Sequence, residues 1–386
     1  MSQKYFYRRR ALSERLTKLI TQVAVGSAAT SGVFMTAPRR TGKSTFARED
    51  LWPALEDAGA IVLYADLWKD LTKDPGAVIV ETVREAIGLN EKLISQLAVA
   101  SGLETVGVAR VNFDVNNIGL GKEIDLTKAF EALSDESKQL IVLIIDEAQH
   151  AITSDEGVAA LFALKAARDE LNSSQHYGLR IVCIGSNRNK LAMLRNSSDE
   201  AFFGASMVQF PMLDEGFVDW YCKGLDLPQD LDPSDVFQLF QESGYRPELL
   251  SAAADGIRFD LTVDPKTILV RFAELVRAQA VALNANLKTV IRSLTPLQSA
   301  VIRVMGAKGD GFAPFECSTM ELYAKAIQKA GIATSESKVE LPDVQLALMA
   351  LQEKKLVWKT SRGVYTIEEQ EIVDLLREDS LLDGLV

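Results

Sequence analysis

Short apolar runs alternate with stretches in which apolar residues recur every three or four positions through the first half of the chain. That alternation predicts strands covered by helices, and therefore a parallel sheet. Strands are expected at Gly32–Thr36, Ala60–Asp66, Leu140–Ile145, Arg180–Gly185 and Met207–Phe210. Helices are expected near Lys43–Ala58, Pro75–Ile87, Leu126–Leu133, Asp155–Leu171 and Asn189–Leu194, with Pro53 bending the first because it has no N–H to donate. One segment, "ETVGVARVNFDVNNIGLGKEI", breaks the order. Its period-two apolar positions and its Asn-Asn and Gly signals predict an inserted β-hairpin near Thr105–Glu123.

After Met212 the β-like runs stop. Helical patterns follow at Val218–Gly224, Pro233–Gln241, Arg246–Ile257 and Thr267–Asn284, which predicts an all-α second domain. Three further helices, Pro296–Ala307, Thr319–Ala330 and Asp343–Glu353, precede the short strands "LVWKT" and "VYTIE". Helix-helix-helix-hairpin is the order of a winged helix-turn-helix. The expected domains are residues 1–212, 213–290 and 291–386. The end, "REDSLLDGLV", is either a docking peptide or a packed terminus.

Composition narrows the class. The 386 residues are 47% hydrophobic and 25% charged, an ordinary globular balance with material for several cores. No apolar run is long enough to cross a bilayer, and the arginine-led start is interrupted by Glu14, Arg15 and Lys18, so a cytoplasmic protein is expected. Three scattered cysteines and two histidines suggest neither a disulfide framework nor a zinc site. A net charge of −11 argues against coating nucleic acid with the whole surface and leaves room for a local basic patch.

Two stretches carry chemistry. In "FMTAPRRTGKST" a strand leads into a helix through Ala37-Pro38-Arg39-Arg40-Thr41-Gly42-Lys43-Ser44-Thr45. Backbone N–H groups converging at a helix N-terminus make a cradle for phosphates. Lys43 would reach the β- and γ-phosphates of ATP and Ser44 would hold Mg2+. Alanine stands where such loops usually start with glycine, which is tolerable if position 37 needs no positive φ. The second stretch, "QLIVLIIDEAQH", reads as a strand buried on both faces that delivers Asp146 and Glu147 to its carboxyl end. Asp146 would bind the metal through water, and Glu147 would orient or polarise the attacking water.

These motifs, with a further strand between them, resemble the AAA+ ATPases. Within that family the details look like the group containing archaeal-type ATPases, origin-recognition proteins, transposition regulators and STAND signalling ATPases, and "PRRTGKS" is similar to the phosphate-loop spelling typical of its archaeal-type members. The resemblance implies a P-loop core with a five-stranded parallel sheet, an all-α lid and a C-terminal winged helix. It also implies that Phe6, Tyr7 and Arg8 of "FYRRRALSERL", or the register one residue on at Arg9, pack around the adenine. Asn187, or Ser186, would sense the γ-phosphate at the end of "RIVCIGSN", and Arg246 of "SGYRPELL" would reach over the phosphates from the lid. Arg195, with Arg188 as the alternative, is the candidate arginine acting in trans in a homo-oligomer. "DEAQH" also looks like the DEAD/DEAH spelling of helicases, but no second motor domain follows Met212.

In the expected winged helix the third helix, "LPDVQLALMALQEKK", is mostly apolar, and Lys354, Lys355, Lys359 and Arg362 cluster around the wing. That suits phosphate contact better than base readout. The expected function is an ATPase, slow without a partner, that couples Mg-ATP to contact with DNA or a partner protein in transposition, replication or defence. The alternatives are a STAND-like switch controlling an effector protein without DNA, and a nucleotide-binding structural subunit with little turnover.

Overall fold

The computed structural model describes residues 6–22, 27–37, 40–90, 92–94, 97, 114–173, 175–196, 200–329, 339–361, 363–368 and 370–385. The chain divides into two compact units, Met1–Leu213 and Asp214–Val386.

In the first unit, strands β1 (Val33–Thr36), β2 (Ala60–Asp66), β3 (Leu140–Asp146), β4 (Leu179–Gly185) and β5 (Ser206–Gln209) form one sheet in the order β2-β3-β4-β1-β5. Every pairing is parallel. The α/β sheet expected from the sequence is therefore present, and β4 separates the strand that feeds the phosphate loop from the strand that carries the acids. Ile141, Val142, Leu143, Ile144 and Ile145 of β3 are fully buried, and each contributes on the order of 1.5–3 kcal/mol through its burial. Such a strand must be central, so its last residue opens at the carboxyl edge of the sheet, where ligands of parallel sheets bind.

The helices are α1 (Arg10–Thr21), α2 (Lys43–Phe46), α3 (Trp52–Asp57), α4 (Pro75–Gly88), α5 (Leu126–Ser137), α6 (Asp155–Ser173) and α7 (Arg188–Met193). Between α2 and α3 the backbone winds as a π-turn over Ala47–Leu51. Pro53 explains the irregularity, since it cannot donate to the carbonyl of Glu49 four residues earlier. The guanidinium of Arg8 donates to that carbonyl instead. The helix is thus irregular ahead of Pro53, as a π-turn, and the N-terminal segment supplies the donor that the proline lacks.

The inserted hairpin is a correction where it can be followed. Residues 105–113 lie outside the described residues. Val115–Asn117 is a short 3₁₀ turn, and a single bridge joins Ile118 to Ile124. Both isoleucines are fully buried in the core on one face of the sheet. Burial of Ile118 and Ile124, which the alternation does record, is achieved by a tight loop through Gly119 and Gly121, both at positive φ, and among the described residues not by paired strands.

The second unit contains α8 (Glu215–Gly224), α9 (Pro233–Glu242), α10 (Pro247–Arg258) and the long α11 (Ile268–Arg292). It continues through α12 (Pro296–Lys308), α13 (Cys317–Lys329) and α14 (Leu341–Glu353), the antiparallel hairpin β6 (Val357–Ser361) and β7 (Val364–Ile367), and α15 (Gln370–Glu378). This is the all-α segment followed by helix-helix-helix-hairpin that the sequence implies. The acidic end packs: Leu385 is fully buried, and the guanidinium of Arg303 donates to the carbonyl of Leu381 at 2.8 Å. It is a seated terminus rather than a free docking peptide.

Candidate active site

The phosphate loop joins β1 to α2. Positive φ occurs at Arg40 (62°) and Gly42 (82°) and not at Ala37, so the alanine carries no backbone strain. At Gly42 an added Cβ would meet nothing within 4 Å, so glycine serves the left-handed conformation there and not a close contact. Lys43 and Thr41 are buried, Arg40 and Thr45 are exposed, and Pro38 and Arg39 lie outside the described residues.

Ser44, in the first turn of α2, lies close enough to the carboxylate of Asp146 to hold its pKa down. That proximity brings the loop after β1 to the acid at the end of β3 across β4. Asp146 is 2% exposed, and its Oδ2 accepts from the hydroxyl of Tyr64 at 2.6 Å while its Oδ1 accepts from the backbone N–H of Glu147 at 3.0 Å. Burial pushes the Asp146 carboxyl up, and the donors Tyr64 and Ser44 pull it back. Tyr64 is itself held on both sides. Trp52 stacks on it with ring centroids 5.8 Å apart, and Arg48 lies 4.8 Å over its ring while pairing with Asp66 at 2.5 Å. Burial, followed by the neighbouring Asp146 charge, pushes the Tyr64 phenol up, so it remains a donor.

A hydroxyl and a carboxylate at one point suit a hard cation that keeps most of its water. Among the described residues no group of three His, Cys, Asp or Glu could hold a metal by itself. Magnesium fits that pattern, because it is usually held by one or two protein oxygens together with substrate phosphates.

Glu147 adopts the left-handed conformation, φ 52° and ψ 42°, which turns its side chain toward the end of β4. There Ser186 donates to its Oε2 at 3.0 Å, and the amide of Gln149 donates to the same oxygen. Asn187 caps α7 by accepting from the backbone N–H of Lys190 at 2.9 Å, so the residue that touches the glutamate is Ser186, the alternative at the same strand end.

The other candidates are placed as follows. Arg8 lies 4.2 Å over the ring of Phe6, and besides Glu49 it approaches Asp50 at 3.5 Å. The backbone N–H of Arg9 donates to Asp50 at 3.0 Å, and its guanidinium donates to the carbonyls of Pro211 at 2.9 Å and Met212 at 3.1 Å. Phe6 and Tyr7 are half-buried. Arg195 follows α7 with its Nε buried and without a hydrogen-bond partner among the described residues, whereas Arg188 is exposed at the start of α7. In the second unit Arg246 stands at the N-cap of α10 and pairs with Glu371 of α15 at 2.5 Å. On α14, Leu346 and Met349 are exposed, as are Lys354, Lys355 and Lys359 beyond it. Arg362 lies outside the described residues.

Sequence reasoning missed Tyr64, Arg48 and Gln149. Tyr64 and Asp66 share a face of β2, a period-two signal that is visible in the sequence. Only the pairing of β2 with β3, Asp66 opposite Asp146, shows what that face meets.

No protein-family model matches the chain, and no curated protein matches it. Among solved structures, the chain is similar to the ORC2 protein of Aeropyrum pernix in its ADP form, at 13% identity over 98% of this chain and 96% of that one, with a TM-score of 0.55. The ORC1 protein of the same organism in complex with DNA matches at 16% identity over 99% and 95%, TM-score 0.43. Cdc6p of Pyrobaculum aerophilum matches at 14% identity over 98% and 97%, TM-score 0.38. The similarity to ORC2 shows that the two chains share a fold over nearly their whole length.

Proposed function

We propose that the protein binds ATP with Mg2+ at the carboxyl edge of the sheet and hydrolyses it slowly, as a switch for contact with DNA or a partner protein. The observation that carries this reading is the proximity of Ser44 to Asp146, which brings two remote stretches of chain to one point beside Glu147. Lys43 neutralises the β- and γ-phosphates, and the loop N–H groups cradle them. Bound Mg2+ supplies further neutralisation of charge on the phosphates. Glu147 orients the attacking water and takes its proton. Asp146 is anchored by Tyr64, and Arg246 of the second unit has the sensing role. Phosphate release by the wild type against Glu147→Gln tests the chemistry. Equal rates would remove hydrolysis and leave a nucleotide-binding structural subunit.

The basic residues Lys354, Lys355 and Lys359 support contact with nucleic-acid phosphates. A second reading has an observation of its own: exposed Leu346 and Met349 on α14, 64% and 50% accessible, favour an effector-protein contact through that helix. Salt-sensitive, ATP-dependent DNA binding supports the first. ATP-dependent assembly without DNA, unaffected by those lysines, supports the second.

A further inference from the structure

Gln149 lies within "DEAQH" without a role assigned to it, yet the fold makes room for it. It is 3% exposed, and its Oε1 has no hydrogen-bond partner among the described residues. A Cβ at Gly185, the last residue of β4, would stand 2.2 Å from that Oε1. Gly185 is not at positive φ, so its backbone does not require glycine. The missing Cβ is what admits the amide.

The amide Nε2 of Gln149 donates to Oε2 of Glu147 and to Oγ of Ser186 at 3.3 Å, while Ser186 donates to the same Oε2. Both donors converge on one carboxylate oxygen. The other, Oε1, accepts no hydrogen bond among the described residues. An unsatisfied buried carbonyl costs about 1–3 kcal/mol, so packing alone gives no reason for an amide at this position. An unbranched apolar side chain would fill the space without that cost.

We propose that Gln149, seated in the space left by Gly185, is a positioning residue for hydrolysis. With Ser186 it holds Oε2 of Glu147, and Oε1 is left for the attacking water. The inference rests on the reading of Glu147 given above. It predicts an effect on turnover and none on nucleotide affinity, because the triangle touches the base and not the phosphate loop.

The test compares wild type, Glu147→Gln, Gln149→Met and the double variant as full chains. Each is assayed for ATP affinity by fluorescent-nucleotide titration and for steady-state phosphate release. Methionine keeps the length and volume and removes the donor. Gln149→Met should lower kcat about ten-fold with KM and ATP affinity unchanged, the size expected for a base slightly out of place. In the Glu147→Gln background the same change should add nothing, as for residues acting as one unit. Ser186→Ala, which removes the second donor to Oε2, should move kcat in the same direction and stands in if Gln149→Met does not fold. An unchanged or raised kcat, a rise in KM instead, or an equal fractional loss in the double variant overturns the proposal. If Glu147→Gln turns over as the wild type does, the hydrolysis reading itself has failed and the inference falls with it. If Glu147→Gln is slow and Gln149→Met is normal, the inference alone has failed.

Discussion

The carboxyl edge of the sheet in the first unit and the α14 face in the second treat polarity in opposite ways. At the sheet edge Lys43, Asp146 and Gln149 are 4%, 2% and 3% exposed; the acid is hydrogen-bonded to Tyr64 of β2, and the amide to Glu147 and to Ser186 just past β4. On α14 and beyond it, leucine and methionine stand in solvent beside three exposed lysines. Buried polar groups are costly unless paired, so the first arrangement is one whose geometry is settled before any ligand arrives. Exposed apolar side chains beside charges have no such internal order, and on the proposed reading it is a docked partner that would complete the second region. The largest effects of substitution are therefore expected at the sheet edge and the most condition-dependent ones on α14.

Lys43→Ala breaks the first region most severely. It removes a buried cation of the phosphate loop, and ATP affinity should fall by more than about a hundred-fold in fluorescent-nucleotide titration, as expected for a charge that meets phosphates out of water. Glu147→Gln comes next and separates binding from turnover. Affinity should persist while phosphate release falls by roughly 10²–10³, the usual contribution of a positioned base. Retention of full turnover by either variant would mean that the two stretches do not act on one triphosphate.

Most of the fold is legible in the sequence because its causes are local. The five apolar runs are the five strands, since a central parallel strand must be apolar on both faces. Gly42-Lys43-Ser44 and Asp146-Glu147 declare themselves by type and spacing. What cannot be read depends on interactions between distant segments. Arg8 takes up a carbonyl that Pro53 leaves behind, Tyr64 meets Asp146 only through the pairing of β2 with β3, and Gln149 needs the bare Cα of Gly185. Over the described part of the expected hairpin, residues 114–123, the reason is the same: Ile118 and Ile124 show that something is buried, and alternation cannot distinguish a paired strand from a loop folded inward.

The α14 region sharpens the comparison through its response to salt. Reversing Lys354, Lys355 and Lys359 to glutamate should lower DNA affinity by about ten-fold or more at low salt. It should also reduce the slope of log affinity against log salt by about 3, one for each phosphate that is no longer neutralised. Nucleotide affinity should not move. If DNA binding is unaffected while Leu346→Ser abolishes ATP-dependent assembly, the face belongs to a protein partner. A smaller effect at the sheet edge distinguishes anchoring from chemistry. Tyr64→Phe removes the donor to Asp146, and the Mg2+ concentration that half-saturates ATP binding should rise a few-fold while affinity without metal is unchanged. An unaltered Mg2+ requirement would show that Tyr64 only packs against Trp52.

The smallest expected effect concerns what the buried acid costs the fold. Burial raises the Asp146 carboxyl above its ordinary value, so in the absence of ligand the ionised form is disfavoured in the folded state relative to the unfolded one. Any stability Asp146 contributes is therefore fully present below the ordinary aspartate range, near pH 4, and is lost as the pH rises through its folded-state value. Asp146→Asn does not titrate and keeps an oxygen for Tyr64, so without nucleotide it should melt slightly above the wild type at pH 7. That gap should close as the pH falls toward 4. Adding ATP and Mg2+ should reverse the order, because a ligand at about a hundred times its Kd stabilises the protein it binds by about 2.7 kcal/mol and the asparagine variant has lost the carboxylate that would hold the metal. Melting curves with and without ligand at two pH values check both halves. A variant that melts below the wild type at pH 7 without ligand would show that Asp146 is held for stability, and the contrast between a costly, prebuilt sheet edge and an open α14 face would no longer stand.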